Sequence, residues 1–253
     1  MTAPAAALLA AILALDRWNL ETPVLRFPLP ASLREISGLA VTQDGRVFAH
    51  DDERGVLYEL DLERRSVKKS FTLGKKVRAD FEAVTITPDG RLFLVTSDGV
   101  LYETREGRDG EKVAFRTTDT GLGAACEIEG LGFEPPDVLL VGCKKHVKKA
   151  LTVFRWSLSS GRLATPDAIR IPFPEHHPSD LFRDPATGHL LLVCAREQVL
   201  LEASPRGELL ATRPLDPARH PQAEGLAVLP DGRLLIADEG KHAPGTVTVY
   251  AKR

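Results

Sequence analysis

Apolar residues in this chain fall in short runs of strand length separated by turn chemistry, and the runs restart five times on one phrase. The phrase is a polar or acidic residue, a small residue and then an apolar stretch. It reads Ser37-Gly38-Leu39, Glu82-Ala83-Val84, Glu129-Gly130-Leu131, Ser179-Asp180-Leu181 and Glu224-Gly225-Leu226. The interval of roughly 45 to 50 residues is the period of propeller blades.

The second unit shows the content of one repeat. FEAVTI (81–86), LFLVT (92–96), VLYET (100–104) and KVAFRT (112–117) are four apolar runs, parted by TPDGR (87–91), SDG (97–99) and a loop. Pro, Asp and Gly supply a preset φ, local hydrogen bonding and tolerance of positive φ, so these segments close hairpins. Turns at 42–46, 134–137, 184–189 and 229–233 repeat the scheme, and GVLYEL (55–60) nearly duplicates GVLYET (99–104). The runs are short and rich in β-branched and aromatic residues, which favours strands over helices.

The fifth unit ends at Arg253 one strand short, and PVLRFPLP (23–30) has the pattern of the missing fourth strand. Pairing it with the last blade closes the ring and removes exposed edges. The expectation is therefore an all-β chain with a single propeller over 22–253, built of five four-stranded blades, with six as the alternative. Residues 1–21 form a separate apolar segment. Its stretch AAALLAAILAL (5–15) is too short to span a bilayer and lacks the basic start and cleavage site of a clear signal. A short helix packed on the domain is expected, with a secretory signal or anchor as the alternative.

Composition narrows the function. Hydrophobic residues make up 43% and charged residues 27%, with a net charge of −2. There is no basic field for nucleic acid and no strong membrane signal, and a monomer is expected. A cytoplasmic location is favoured, with the periplasm or envelope as the alternative. Cys126, Cys143 and Cys194 lack metal or redox spacing and read as buried strand thiols.

In a blade the first strand is innermost, and the face collecting the entries to that strand carries the unusual residues. With a side-chain period of two, the entries give one layer of Glu35, Asp80, Glu127, His177 and Gln222 and a second of Ser37, Glu82, Glu129, Ser179 and Glu224. All ten are polar, six are acids and none is Lys or Arg. A wet channel explains polarity but not the sign. Six converging carboxylates must hold a cation or share protons. Oxygen-rich sites suit calcium or magnesium, so Glu35, Asp80, Glu82, Glu127, Glu129 and Glu224 are candidate metal ligands. His177, Ser179, Asp180, Gln222, Asp51, Asp238 and Glu239 are candidates for ligand contact. Asp180 stands where the other phrases have a small residue, and a lysine or arginine partner is expected for it. His146, His176, His177, His220 and His242 are placed on the same face, with Lys144, Lys145, Lys148 and Lys149 at its rim. Basic loops around an acidic centre suit an anionic ligand group held against a cation. No hydrolase elbow, phosphate loop, HExxH or EF-hand sequence is present.

The phrases EISGLA (35–40), DFEAVT (80–85), IEGLGF (128–133), HPSDLF (177–182) and AEGLAV (223–228) resemble those of the SdiA-regulated β-propeller family over roughly residues 22–253. The acidic second-strand ends DDE (51–53), SD (97–98) and DE (238–239) resemble it too. The resemblance implies a propeller, a calcium site and an envelope location, without a defined reaction. The chain departs from it at Cys143-Lys144 and Arg196-Glu197. Three functions remain open: a ligand- or cation-binding propeller, a metal-dependent hydrolase of lactonase or phosphoesterase type, and a protein-interaction scaffold.

Overall fold

The structure, a computed structural model, describes residues 14–173 and 176–253. Five antiparallel sheets of four strands stand around an axis. Blade 1 is Ile36–Val41, Val47–Asp51, Val56–Asp61 and Ser66–Leu73; blade 2 is Phe81–Ile86, Arg91–Thr96, Val100–Arg105 and Phe115–Asp119. Blade 3 is Ile128–Glu134, Val138–Cys143, Leu151–Ser157 and Arg162–Ile171; blade 4 is Asp180–Arg183, Leu190–Cys194, Val199–Ala203 and Leu209–Pro214. Blade 5 is Ala223–Val228, Leu234–Asp238 and Thr246–Tyr250, completed by Leu25–Pro28 from the other end of the chain. Each inner strand touches those of the two neighbouring blades, so the ring is closed at five.

Closure rests on the pairing Leu25↔Val249 to Pro28↔Thr246. It is reinforced by a bridge between Trp18 and Lys252 and by the Arg253 N–H donating to the Arg17 carbonyl at 2.7 Å. Ala14–Arg17 form one 3-10 turn, and Leu15 and Trp18 are buried among Leu191, Val193, Leu200 and Tyr250. The apolar stretch read as a helix or signal lies almost wholly outside the described residues.

The core is divided as the blades are. Five clusters of buried side chains fill the five interfaces between adjacent blades, for example Phe48 and Phe71 against Phe81 and Leu94 between blades 1 and 2. Each blade is thus buried on both faces, which explains near-continuous apolar strands such as LLLVC (190–194), buried throughout. The Asp-Gly-Arg turns close the inner hairpins. Gly45, Gly90 and Gly232 take φ of 85°, 80° and 88°, and the Asp and Arg pair across the turn, as in Asp89–Arg91 at 2.8 Å.

Two expectations are corrected. KVAFRT is not one strand: Lys112–Val113 pairs in parallel with Ser66–Leu73 of blade 1, and only Phe115–Asp119 belongs to blade 2. Val113 is the reason, since it is buried in the apolar cluster shared by blades 1 and 2. Blade 1 thereby gains a fifth strand that ties it to blade 2. The cysteines also differ from expectation. Cys126 and Cys143 form a disulfide with Cα atoms 5.7 Å apart, well within bridging range, and only Cys194 is a buried free thiol.

Candidate functional site

The polar residue of the recurring phrase sits on a bulge. In blade 1 the register passes from Ile36↔Asp51 to Gly38↔His50, leaving Ser37 without a partner residue. The same step leaves out Glu82, Glu129 and Glu224 in blades 2, 3 and 5. A bulge re-aims a side chain and interrupts the period of two. The two polar layers are therefore set by four local irregularities and not by regular alternation. The small residue that follows makes room for a neighbour: a Cβ on Gly38 would lie 2.7 Å from Nε2 of His50.

Just before each bulge, the entry residue meets the end of the second strand, and every blade makes this pair with different chemistry. The backbone is shared: Asp52, Ser97, Lys144 and Glu239 donate their N–H to the carbonyls of Glu35, Asp80, Glu127 and Gln222 at 3.1, 3.0, 2.9 and 2.8 Å. In blade 2 the Ser97 hydroxyl donates to Asp80 at 2.5 Å. In blade 3 the Lys144 ammonium reaches Glu127 at 3.3 Å and also bonds Glu129, while Lys145 holds Glu127 at 3.0 Å. Blade 4 pairs His177 Nδ1 with Glu197 at 2.9 Å, and blade 5 pairs the Gln222 amide with Glu239. Blade 1 sets Glu35 against Asp52, acid against acid, with Asp51 alongside; one ligand oxygen from each lies within 4.8 Å of the others. Asp51 is matched by Arg54 at 2.5 Å, but the buried Oδ1 of Asp52 has no hydrogen-bond partner among the described residues.

Electrostatics follow from this layout. Burial, then the nearby Glu35 and Asp51, push Asp52 up to about 6. Burial, then Glu129 and Asp80, push Glu82 up to about 9, and burial with Glu129 pushes Glu224 up to about 8. Burial also raises Glu129, although Lys144 opposes it. Burial disfavours the charge on Lys144, yet Glu129 and Glu127 outweigh it and hold its pKa above the ordinary lysine value. Near neutrality Glu82 and Glu224 are thus neutral carboxyl groups able to donate a hydrogen bond, beside the Lys144 ammonium that bonds Glu129.

The remaining sequence-derived candidates separate. Among the described residues Asp180 makes no ion pair with a lysine or arginine. Its carboxylate accepts the N–H of Leu181 and, across the blade boundary, that of Leu226, both at 2.8 Å. Burial pushes its pKa well up, and bonds from Leu226, Leu181 and Leu131 pull the other way. Asp180 links blades 3, 4 and 5 and is not free for a ligand. Ser179 is likewise buried, donating to the Ala223 carbonyl at 2.6 Å. Asp238 turns to His220 at 2.8 Å, and the other ring nitrogen of His220 meets the Tyr250 hydroxyl at 2.6 Å. All three are buried, so His220 lies inside blade 5 and not on the face. His146 and His177 do adjoin there, with ring centroids 5.7 Å apart. Lys144 is the residue of this candidate site that the two polar layers did not contain. Its signal was present in the Cys143-Lys144 departure from the acidic strand ends.

The site is therefore an electrostatically coupled trio of Glu82, Glu129 and Glu224 with Lys144, flanked in blade 1 by Glu35, Asp51 and Asp52, a group able to bind a metal ion. No protein-family model and no curated protein matches the chain. Solved structures do. Myxococcus xanthus glutaminyl cyclase is similar with a TM-score of 0.65 and 20% identity over 92% of this chain and 97% of that one. The PQQ-bound aldose sugar dehydrogenase of Streptomyces coelicolor gives 0.56 and 10% over 92% and 98%. A luciferin-regenerating enzyme gives 0.55 and 12% over 91% and 95%. What the chain shares with these proteins is the β-propeller fold.

Proposed function

We propose that the acidic face binds a small ligand through a cationic group, either a divalent cation or an organic ammonium, with Glu82 and Glu224 as its carboxyl proton donors and acceptors. The observation that carries this reading is that bulge carboxyl groups from blades 2, 3 and 5 act on one another electrostatically, with the one ammonium of Lys144, bonded to Glu129, among them. One lysine leaves an acidic surplus, and an approaching cation gains from every carboxylate that it ionises. The order of the blade phrases supports a place among propellers of the SdiA-regulated type. The Cys126–Cys143 disulfide favours a compartment where thiols stay oxidised, such as a periplasm or the cell exterior.

A second reading, an enzyme, is favoured by the same carboxyl groups. Values of about 9 for Glu82 and about 8 for Glu224 lie near working pH, where general acid–base catalysis is efficient. In a metal-dependent hydrolase a cation would polarise the substrate and activate water while one glutamate relays the proton. The named enzymes among the similar propellers support this reading by analogy alone.

Titration calorimetry with calcium, magnesium and methylammonium, on the wild type and on Glu82→Gln, Glu224→Gln and Asp52→Asn, tests the first reading. Saturable binding that weakens in at least one variant is expected. Absence of binding, or equal binding by all four proteins, sinks it. Turnover of a lactone or phosphate ester that is lost in Glu82→Gln, assayed with and without added metal, decides for the enzyme.

A further inference from the structure

A large cavity lies on the opposite face, among the turns between first and second strands, and none of the acidic residues of the candidate site lines it. Its volume is about 780 Å³. Its floor is Leu39, Val84, Leu131, Leu181 and Leu226, one residue from each blade and each at most 3% exposed. In blades 1, 2, 3 and 5 these are the apolar residues that follow the bulge and its small residue, and in blade 4 Leu181 follows Asp180, so the inner strands present polar groups at one end and an aliphatic floor further along. Half-buried Ile86 and Val228 extend the apolar wall. A concave apolar site of this size with a few placed polar groups is the usual form of a small-molecule pocket.

The rim supplies the polar groups. Most lining charges cancel locally: Arg17 with Asp184, Arg46 with Asp44 and Glu106, and Asp231 with Arg233 outside the lining. Arg183 and Lys252 also line the cavity, and among the described residues neither makes an ion pair. Each side chain passes over a glycine turn. The Arg183 guanidinium lies 3.1 Å from where a Cβ of Gly188 would stand, and the Lys252 stem lies 2.7 Å from that of Gly232. The φ values of 74° and 88° at these glycines suit no other residue well. Two uncompensated cations over an apolar funnel select an anion with an apolar body.

We propose that this funnel is a second ligand site, specific for an amphipathic carboxylate of the medium-chain aliphatic class, whose chain fills the funnel and whose carboxylate meets Arg183 and Lys252. The site is independent of the acidic face, and of opposite charge preference.

Calorimetry with decanoate and its uncharged analogue decanol tests the proposal. Wild-type protein should bind one decanoate saturably and decanol at least about tenfold more weakly, the difference made by charge-assisted hydrogen bonds. The double variant Arg183→Gln/Lys252→Gln should lose that preference while binding decanol as before. Ile86→Trp, which narrows the funnel, should weaken both ligands; Val228→Trp serves if thermal melting shows that Ile86→Trp does not fold. Glu82→Gln should bind decanoate like wild type. Absence of saturable decanoate binding overturns the proposal, as does an unchanged preference in the double variant or loss of binding in a folded Glu82→Gln.

Discussion

Blade 1 and blade 3 place the same backbone at the acidic face and make opposite use of it. In both, the second-strand end donates its N–H to the carbonyl of an entry glutamate, Asp52 to Glu35 and Lys144 to Glu127. Blade 3 adds an ammonium, which pairs with Glu127 and Glu129, and a disulfide that ties Cys126 to Cys143 beside them. Blade 1 adds a second carboxylate and, among the described residues, leaves one of its buried oxygens without a hydrogen-bond partner. The propeller fixes where side chains meet, whereas one residue per blade sets the sign of the charge there. A site can therefore change from neutralised to acidic without any change in the fold.

The largest expected effect comes from removing the covalent difference. The disulfide closes a loop with a sequence separation of 17, for which chain-entropy reasoning gives about 3 kcal/mol. The Cys126→Ala/Cys143→Ala variant should lose most of that in urea unfolding, and wild-type protein in reductant should approach it. Next comes Lys144→Met, which leaves the buried Glu129 without its cation. Because Lys144 is partly exposed, screening reduces the cost to about 1–2 kcal/mol at pH 8. At pH 5 the cost should shrink, since Glu129 takes up a proton instead. Equal losses at the two pH values, followed by urea titration, would show that the pair does not govern this blade.

The acidic surplus also gives the wild type a pH dependence of definite sign. Folding raises the pKa of Glu82 and Glu224, so between about pH 5 and the folded values of about 9 and 8 the native state binds more protons than the unfolded chain. Stability must then fall as pH rises through that window. A decline of at least about 2 kcal/mol is expected, since each pH unit separating a folded from an unfolded pKa is worth about 1.4 kcal/mol, and Glu82→Gln should flatten it. A metal-free protein equally stable at pH 5 and pH 9 would contradict the proton sharing. The smallest effect is expected at blade 1. Asp52→Lys, which gives blade 1 the chemistry of blade 3, should relieve the repulsion with Glu35 and stabilise the protein by up to about 1 kcal/mol at pH 8, while abolishing any cation binding at Glu35. Stronger cation binding by this variant in calorimetry would refute the comparison.

Much of this was legible in the chain because a blade is a local object. Period, Asp-Gly-Arg turns and strand-length apolar runs specify hairpins, and hairpins joined in sequence order specify blades. The glutamates of the face were legible through their fixed place before the small residue. The bulges were not, because register depends on which backbone groups pair across a hairpin, and Glu82 or Glu129 carries no local mark of being the extra residue. The roles of Asp180 and Asp238 were also hidden. An acid read as a ligand and an acid that accepts backbone N–H groups from another blade look alike in one dimension.

The sequence by itself determined the propeller, its five blades, the strand borrowed from residues 25–28 and the acidic bias of one end of the inner strands, since each depends on composition and spacing within one repeat. Tertiary structure alone decided which carboxylates act on one another, which are spent on links between blades, that Lys144 enters the acidic trio, that Cys126 meets Cys143, and that five aliphatic residues from five separate repeats make one cavity floor. Those outcomes depend on distances between repeats, and such distances come into being only when the ring closes.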